Sequence, residues 1–383
     1  MLVGSYYQFV SIGAPGAGEG AVIAASNHSN GMVDGLILIR AADRPLRFLV
    51  KQQLVRMPVI GWMLRGTGAV PVYRRKDNVP TSWNDGVFDE IYRSLAKGDA
   101  IGIFPEGTSH LDAGIRPLRT GAARIALGAE EARDWKLGLR IVPVGIHYEE
   151  RGSMGSRVLT VVGQPLDISG HRSQHRAAPR DTTLEVTAEI HRALESVRVE
   201  LLEQDAASLI ELVLDEIEAG NLSHAAAPEA LNRLVAGWRL HLEKDEAAAR
   251  VQLTRLRETS QMRRQGGIVQ HAFTLLGWLT MGLWFGPVGL VLLLQRVIPL
   301  PTDKRATVML LAGSVLFPLW PILVGWWVGA THGSGLGWLS ALVLLTTAGS
   351  VWHDSRAKRK RALPSHAAEE RARIAEDLRG RSI

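Results

Sequence analysis

Short apolar runs alternate with amphipathic stretches along the first part of the chain. The runs that predict strands are "GAVIAAS" (20–26), "RFLVKQQ" (47–53), "GAVPVYR" (68–74), "AIGIFPEG" (100–107), "LRIVPVGIHY" (139–148) and "RVLTVVGQPL" (157–166). The segments between them that predict helices include "MVDGLILIRAA" (32–42), "WNDGVFDEIYRSLAKG" (83–98) and "TGAARIALGAEEAR" (120–133). This alternation predicts an α/β domain over residues 1–170, with a sheet flanked by helices.

The pattern changes after residue 170. Residues 170–182, "GHRSQHRAAPRDT", are polar and basic and are interpreted as a linker. Residues 183–265 place apolar residues at steps of three and four, which predicts an amphipathic helical region in which Gly220-Asn221 ends one helix. We expect this region to pack on the sheet or on a membrane, and a separate catalytic domain is the alternative.

Residues 268–353 have the pattern of a membrane region. Three apolar stretches, about 271–294, 307–330 and 336–352, are each near the ~20 residues that span a bilayer. Basic clusters flank both outer ends of this region, whereas the link after the second stretch has no Lys or Arg. Three full crossings would put the two basic clusters on opposite sides of the membrane, which the positive-inside rule disfavours. Because Gly286-Pro287 interrupts the first stretch, we expect a re-entrant hairpin at 271–294 and crossings at 307–330 and 336–352. In this arrangement, we expect residues 354–383 to form a basic cytoplasmic tail. Three plain crossings are the alternative.

Composition narrows the classes of function. The chain has 383 residues, is 46% hydrophobic and carries a net charge of +6 without any cysteine. The lack of cysteine excludes thiol nucleophiles, thiolate zinc sites and disulfides. A basic protein can bind nucleic acid, anionic lipid or an anionic substrate. No basic and aromatic platform of the kind used by single-strand binders is present, so lipid or a phosphorylated small molecule is expected and nucleic acid is not.

The strongest candidate for chemistry is "SNHSNGMVDG" at residues 26–35. Five residues separate His28 from Asp34, and a regular helix would leave the two side chains on different faces. A turn at Asn30-Gly31 would bring them together. The carboxylate would then orient the imidazole, and the other ring nitrogen would take a proton from a hydroxyl as a general base. A metal-dependent hydrolase is disfavoured, because too few ligands lie at metal-site spacing.

Other candidates follow later predicted strands. Arg74 and Arg75 end "GAVPVYRR", and the planar guanidinium of arginine suits phosphate. In "FPEGTSHLD", Glu106 would accept hydrogen bonds from a polyol, while Gly107 would let the backbone approach a ligand. His110 and His147 are interpreted as local hydrogen-bonding and structural histidines.

The ordered blocks "NHSNGMVD", "GAVPVYRR", "FPEGTSH" and "IVPVGI" resemble those of the glycerolipid acyltransferase family, which includes lysophosphatidate and glycerol-3-phosphate acyltransferases. The resemblance covers roughly residues 10–167. It implies a membrane-bound O-acyltransferase of phospholipid biosynthesis, with residues 1–170 as catalytic domain. The acyl donor would be acyl-CoA or acyl carrier protein, acting as co-substrate, with no other cofactor and no metal.

The resemblance also implies roles for individual residues. His28 matches the general base and Asp34 its orienting carboxylate, in a mechanism without an acyl-enzyme. Arg74 matches a contact to the phosphate of the acceptor, and Glu106, Gly107 and Thr108 match the block that shapes the acceptor site. Pro143 lies in the fourth block, which is linked to donor binding or packing. We expect an integral membrane protein in contact with membrane lipids, with its catalytic domain on the cytoplasmic side of a bacterial inner membrane.

Two departures from the family pattern affect the acceptor. The usual spacing has four residues between histidine and aspartate, whereas this chain has five, as in a branch that resembles fungal-type glycerol-3-phosphate and dihydroxyacetone-phosphate acyltransferases. Ser109 stands where many members have arginine, so Arg75, Arg116 and Arg119 are candidate phosphate ligands. The acceptor stays open between glycerol 3-phosphate and 1-acylglycerol 3-phosphate. A different lysolipid, or an inactive lipid-binding scaffold, are the alternatives.

Overall fold

A computed structural model gives the architecture of the larger part of the chain. It describes residues 7–13, 18–72, 85–110, 114–148, 151, 156–199, 206–218, 220–245, 250–252, 254–255, 290, 302–332, 338–339, 369 and 373.

The centre of the fold is a mixed sheet. Its strands are β1 (Gln8–Gly13), β2 (Val22–Ser26), β3 (Leu46–Lys51), β4 (Val70–Val72), β5 (Ala100–Ile103), β6 (Arg140–Tyr148), β7 (Arg157–Val162) and β8 (Leu166–Asp167). Their order is β1-β7-β6-β2-β5-β3-β4, and β8 pairs with β6. The pairs are parallel except β6–β7 and β6–β8.

Helices cover the sheet and continue after it. They are α1 (Gly31–Ala42), α2 (Gln52–Arg56), α3 (Pro58–Gly66), α4 (Asp85–Ala96), α5 (Gly121–Glu131), α6 (Arg172–Ala177), α7 (Pro179–Ser196), α8 (Ala206–Glu218), α9 (Ala227–Lys244) and α10 (Thr302–His332), and a short 3₁₀ turn spans Ser169–His171. The predicted α/β sheet flanked by helices is therefore confirmed.

Strand β2 lies inside this sandwich and is buried along its whole length. Side chains alternate between the two faces of a strand. Val22 and Ala24 therefore pack with residues of α1, whereas Ile23 and Ala25 pack with residues of α4, α5 and α7 on the other face. The loop after β2 consequently starts from a rigid support.

Several elements differ from those predicted from the sequence. Strand β1 was not among the predicted strands, although it pairs with β7 at the edge of the sheet. Residues 52–53, predicted as part of a strand, begin α2. The linker predicted for 170–182 is mostly helical, because Pro179 is at the start of α7, where its fixed φ suits a helix, and Thr182 and His175 are buried.

The predicted membrane region is described in part. The stretch at 307–330 lies inside the single helix α10, which packs against α1. Within the described residues, no helix meets the length and hydropathy needed to cross a bilayer. The stretches at 271–294 and 336–352 lie almost wholly outside the described residues, as does the tail at 354–383. The hairpin and the crossings therefore stay predictions.

Candidate active site

The candidate residues gather at one edge of the sheet. Strands β2, β5, β3 and β4 are parallel neighbours, so their carboxyl ends meet at the same edge. Ligand sites in open α/β sheets lie outside such ends. His28 follows β2 and Glu106 follows β5 at this edge.

His28 and Asp34 are in direct contact. The distance from His28 Nδ1 to Asp34 Oδ2 is 2.9 Å. Helix α1 begins at Gly31, whose φ of +50° is in the left-handed region that glycine tolerates, and Asp34 lies in the first turn of the helix. The turn predicted from Asn30-Gly31 is thus confirmed, and the five-residue gap is spanned without breaking the pair.

The carboxylate of Asp34 is fully buried and surrounded by donors. Besides the imidazole, Oδ2 accepts hydrogen bonds from the backbone N–H groups of Ser29 and Asn30, each at 2.7 Å. The other oxygen, Oδ1, accepts a hydrogen bond from the hydroxyl of Tyr148 at 2.5 Å. Such donors, together with the start of a helix, stabilise an ionised carboxylate. An ionised Asp34 accepts hydrogen bonds only, so His28 carries its proton on Nδ1.

The ring of His28 is held on its face as well. It stacks on Phe104 with 4.2 Å between ring centroids and 15° between planes, and Phe104 is stacked in turn on Phe48 at 6.1 Å. The His28 side chain is 17% exposed. Its second nitrogen, Nε2, makes no hydrogen bond to a described residue. A fixed imidazole with one bound and one open nitrogen can accept a proton from a bound hydroxyl.

The carboxylate of Glu106, which was predicted to accept hydrogen bonds from a polyol, is buried and bonded within the protein. Oε1 accepts a hydrogen bond from the backbone N–H of His28 at 2.9 Å. Oε2 accepts one from the backbone N–H of Arg116 at 2.9 Å and pairs with the ring of His110. His110 is therefore a local hydrogen-bonding residue, as interpreted from the sequence.

Gly107 adopts a φ of +74° in a turn closed by its N–H on the carbonyl of Phe104, at 2.9 Å. A Cβ at this position would lie 2.5 Å from Nε of Arg119, so the side chain of Arg119 lies against Gly107. Thr108 and Arg119 are exposed. Arg116 is exposed too, and its backbone ties the next loop to Glu106.

Two predicted phosphate ligands, Arg74 and Arg75, lie outside the described residues, in the segment of the sequence that follows β4.

Pro143 is buried within β6, where its carbonyl accepts a hydrogen bond from the N–H of Gly163 at 2.9 Å. This environment is that of a packing residue.

His147 is a structural histidine, as expected. Its Nε2–H donates a hydrogen bond to the carbonyl of Val197 at 3.0 Å. Burial lowers the pKa of His147 to about 4, and the charge of Arg198 adds to this effect. The ring therefore stays neutral at neutral pH and takes no part in the dyad.

Sequence reasoning missed two residues that shape the site. Asn27 bridges β2 to β6, because its amide donates to the carbonyl of Ile146 at 2.9 Å and accepts from the N–H of Ile146 at 2.7 Å. Tyr148 ends β6 above the dyad, and burial, followed by the charge of Asp34, raises its pKa well above the usual value. The adjacency of Asn27 to His28 was a usable signal, whereas nothing in the local sequence points to Tyr148.

Part of the chain is similar to known acyltransferases. Residues 12–147 match the family model described as Acyltransferase. Glycerol-3-phosphate O-acyltransferase 2 of Saccharomyces cerevisiae is 31% identical over 129 residues, which are 33% of this chain and 17% of that protein. The 1-acyl-sn-glycerol-3-phosphate acyltransferase of Borreliella burgdorferi is 31% identical over 128 residues, 33% of this chain and 45% of its own.

One solved structure was also matched. The 1-acyl-sn-glycerophosphate acyltransferase PlsC from Thermotoga maritima superposes with a TM-score of 0.38 and 19% identity, over 51% of this chain and 74% of that chain. The chain thus spans less than half the length of the two curated relatives named above. Residues 12–147 are therefore the part of the chain that is similar to the Acyltransferase family model.

Proposed function

We propose that this protein is an O-acyltransferase that moves a fatty acyl group from a thioester to a hydroxyl of a glycerol-phosphate acceptor, in phospholipid biosynthesis. The observation that carries the proposal is the His28–Asp34 pair, joined at 2.9 Å with Nε2 of the imidazole unbonded among the described residues. The family match over residues 12–147 supports it. The donor is acyl-CoA or acyl carrier protein.

The reaction proceeds in one transfer without an acyl-enzyme. The acceptor hydroxyl gives its proton to Nε2 of His28 while its oxygen attacks the thioester carbonyl. The new C–O bond forms, the C–S bond breaks, and the imidazolium returns the proton to the leaving thiolate. Asp34 stabilises the imidazolium, since its charge lies against Nδ1. Attack on the thioester carbonyl forms a tetrahedral oxyanion, which hydrogen-bond donors must stabilise.

Glycerol 3-phosphate is the favoured acceptor. The yeast relative is named for that substrate, and five residues separate His28 from Asp34, as in the branch that the sequence resembles. The name of the Borreliella relative keeps 1-acylglycerol 3-phosphate as the second candidate. We assign the phosphate to Arg74, with Arg75, Arg116 and Arg119 as further candidate ligands.

The test supplies the full-length protein in detergent or proteoliposomes with labelled palmitoyl-CoA and each acceptor separately. We expect acylation of glycerol 3-phosphate, and a loss of about 10²- to 10⁴-fold in His28→Ala. The control is His191→Ala, because His191 is a partly exposed histidine on α7, distant in sequence from the dyad. Equal activity of His28→Ala and the native protein would remove His28 as the base.

The inactive scaffold remains the second candidate, because the basic tail at 354–383 offers charges for anionic headgroups. A scaffold would bind anionic vesicles yet acylate neither acceptor nor other lysolipids with either donor. The same preparations therefore separate the two functions when vesicle flotation is measured alongside turnover.

A further inference from the structure

Tyr148 touches the proposed dyad from the side opposite to the imidazole. Its hydroxyl donates to Oδ1 of Asp34 at 2.5 Å, while His28 is bonded to Oδ2. We propose that Tyr148 is a positioning residue for acyl transfer, whose phenol holds the carboxylate of Asp34 in the rotamer that orients His28. This inference rests on the proposed function.

The contact is built into the fold. Tyr148 ends β6, whose pairing with β2 stops at Val144 opposite Ser26, so the end of β6 extends past β2 toward the loop that carries His28. The pairing of β6 with β7 fixes this extension through Tyr148 opposite Val158. Tyr148 is only 8% exposed, so water competes little for the hydrogen bond.

A second tyrosine packs beside it. The ring of Tyr7 meets the ring of Tyr148 edge to face, with 5.4 Å between centroids. The hydroxyl of Tyr7 donates to the carbonyl of Arg151 and accepts from the amide of Asn30, at 3.1 Å in the latter case. Tyr7 therefore supports the ring of Tyr148 while its own hydroxyl bonds to other groups.

The titratable and charged groups around Asp34 are few in the described part of the chain. His28 faces it from the loop, Tyr148 from β6, and Tyr7 lies behind Tyr148. Glu106 and His110 lie on the far side of His28, bonded to its backbone and to each other. Burial and the charge of Asp34 raise the pKa of Tyr148, so the phenol keeps its proton and stays a donor through the working pH range.

Removal of the hydroxyl has a defined consequence. A carboxylate that loses a hydrogen-bond donor keeps its proton to higher pH, and a protonated Asp34 cannot stabilise the imidazolium. The acid limb of the activity profile therefore moves to higher pH.

Tyr148→Phe tests the proposal in the full-length protein. We expect kcat to fall about tenfold or more, with the KM of the acceptor little changed, and the acid limb of kcat/KM to move to higher pH by about half a unit to one unit. Tyr7→Phe is the matched control. It removes the same atom from the neighbouring ring without touching Asp34, so its acid limb should coincide with that of the native protein.

A graded substitution guards against misfolding of the phenylalanine variant. Tyr148→3-fluorotyrosine keeps the shape of the ring and makes the phenol a stronger donor, so the acid limb should move to lower pH. If Tyr148 acts in packing alone, Tyr148→Phe should have a lower melting temperature, and the acid limbs of Tyr148→Phe and Tyr148→3-fluorotyrosine should both match that of the native protein. That result would overturn the proposal.

The inference and the proposed function can fail separately. If the native protein acylates no acceptor, the proposed function fails, whereas the carbon-13 signal of the Asp34 side-chain carboxyl still reports on the contact. The chemical shift of this signal should change in Tyr148→Phe and stay at its native position in Tyr7→Phe. An unchanged chemical shift in Tyr148→Phe would refute the positioning role whatever the activity.

Discussion

The carboxylate of Glu106 holds His28 by its backbone, with 2.9 Å between Oε1 and the backbone nitrogen of His28. The backbone N–H of His110 donates to the carbonyl of His28 at 3.1 Å, and the ring of His110 pairs with the same carboxylate. The loops after β2 and β5 are therefore fastened to each other beneath the imidazole. Glu106 therefore affects the reaction indirectly, because it fixes the position of His28.

Glu106→Gln should weaken both folding and turnover. The amide of glutamine has the same shape as the carboxylate. However, its NH₂ group would face a group that now donates a hydrogen bond to Glu106, from His28, Arg116 or His110. We expect a free energy of unfolding lower by about 1–3 kcal/mol, measured by denaturant titration, and a lower kcat. The KM for the acceptor should change little. A large rise in KM with kcat preserved would instead indicate that Glu106 contacts the acceptor.

Asp34→Asn should abolish most of the activity while the protein stays folded. The amide cannot carry the charge that stabilises the imidazolium and favours the wrong imidazole tautomer, so kcat should fall by about 10³- to 10⁴-fold. Steady-state acyl transfer measures the loss. Asp181→Asn is the matched control, since Asp181 also lies in the first turn of a helix and is exposed. Equal losses in the two variants would contradict the assignment.

Gly102→Ala should disturb the aromatic stack that supports the imidazole. An added Cβ would lie 2.3 Å from Cε1 of Phe48, and Phe48 stacks on Phe104, which stacks on His28. Overpacking of this kind costs about 1–3 kcal/mol of stability, and we expect activity to fall with it. Thermal unfolding and turnover are the measurements. Gly86→Ala, at an open position of α4, should be neutral or stabilising by up to ~1 kcal/mol.

His147 makes stability depend on pH. Because its pKa is about 4 in the folded protein and 6.5 as the ordinary value, the unfolded chain binds more protons between these pH values. The free energy of unfolding therefore falls as pH decreases from about 6.5 towards 4, by at most ~3 kcal/mol and by less because the ring keeps some exposure to solvent. Denaturant titrations of the native protein across this range measure the slope.

His147→Gln separates this contribution from that of other groups. The amide can keep a donor toward the carbonyl of Val197 but does not titrate. We expect a flatter dependence of stability on pH in the variant. The same slope in both proteins would assign the effect to another residue.

The local sequence determined the alternation of strands and helices and the contact of His28 with Asp34. Buried strands and the helices between them follow from apolar periodicity, and the dyad is closed by a turn within ten residues of one stretch. The edge of the sheet on which the site lies also followed, because parallel strands align their carboxyl ends. By contrast, the polar composition of residues 170–182 suggested a linker, whereas the segment is mostly helical and buries His175 and Thr182.

Only the tertiary structure decided which groups stand around the dyad. Glu106 is 78 residues from His28, Tyr148 is 114 from Asp34, and Asn27 is 119 from Ile146, yet each pair is hydrogen-bonded. The sequence marked Glu106 as a ligand of the substrate, and the fold instead buries it as a partner of the backbone. Local sequence patterns predict which residues form a strand, a helix or a turn. They do not predict which distant donor forms a hydrogen bond with a buried carboxylate, because strand order and register decide that contact.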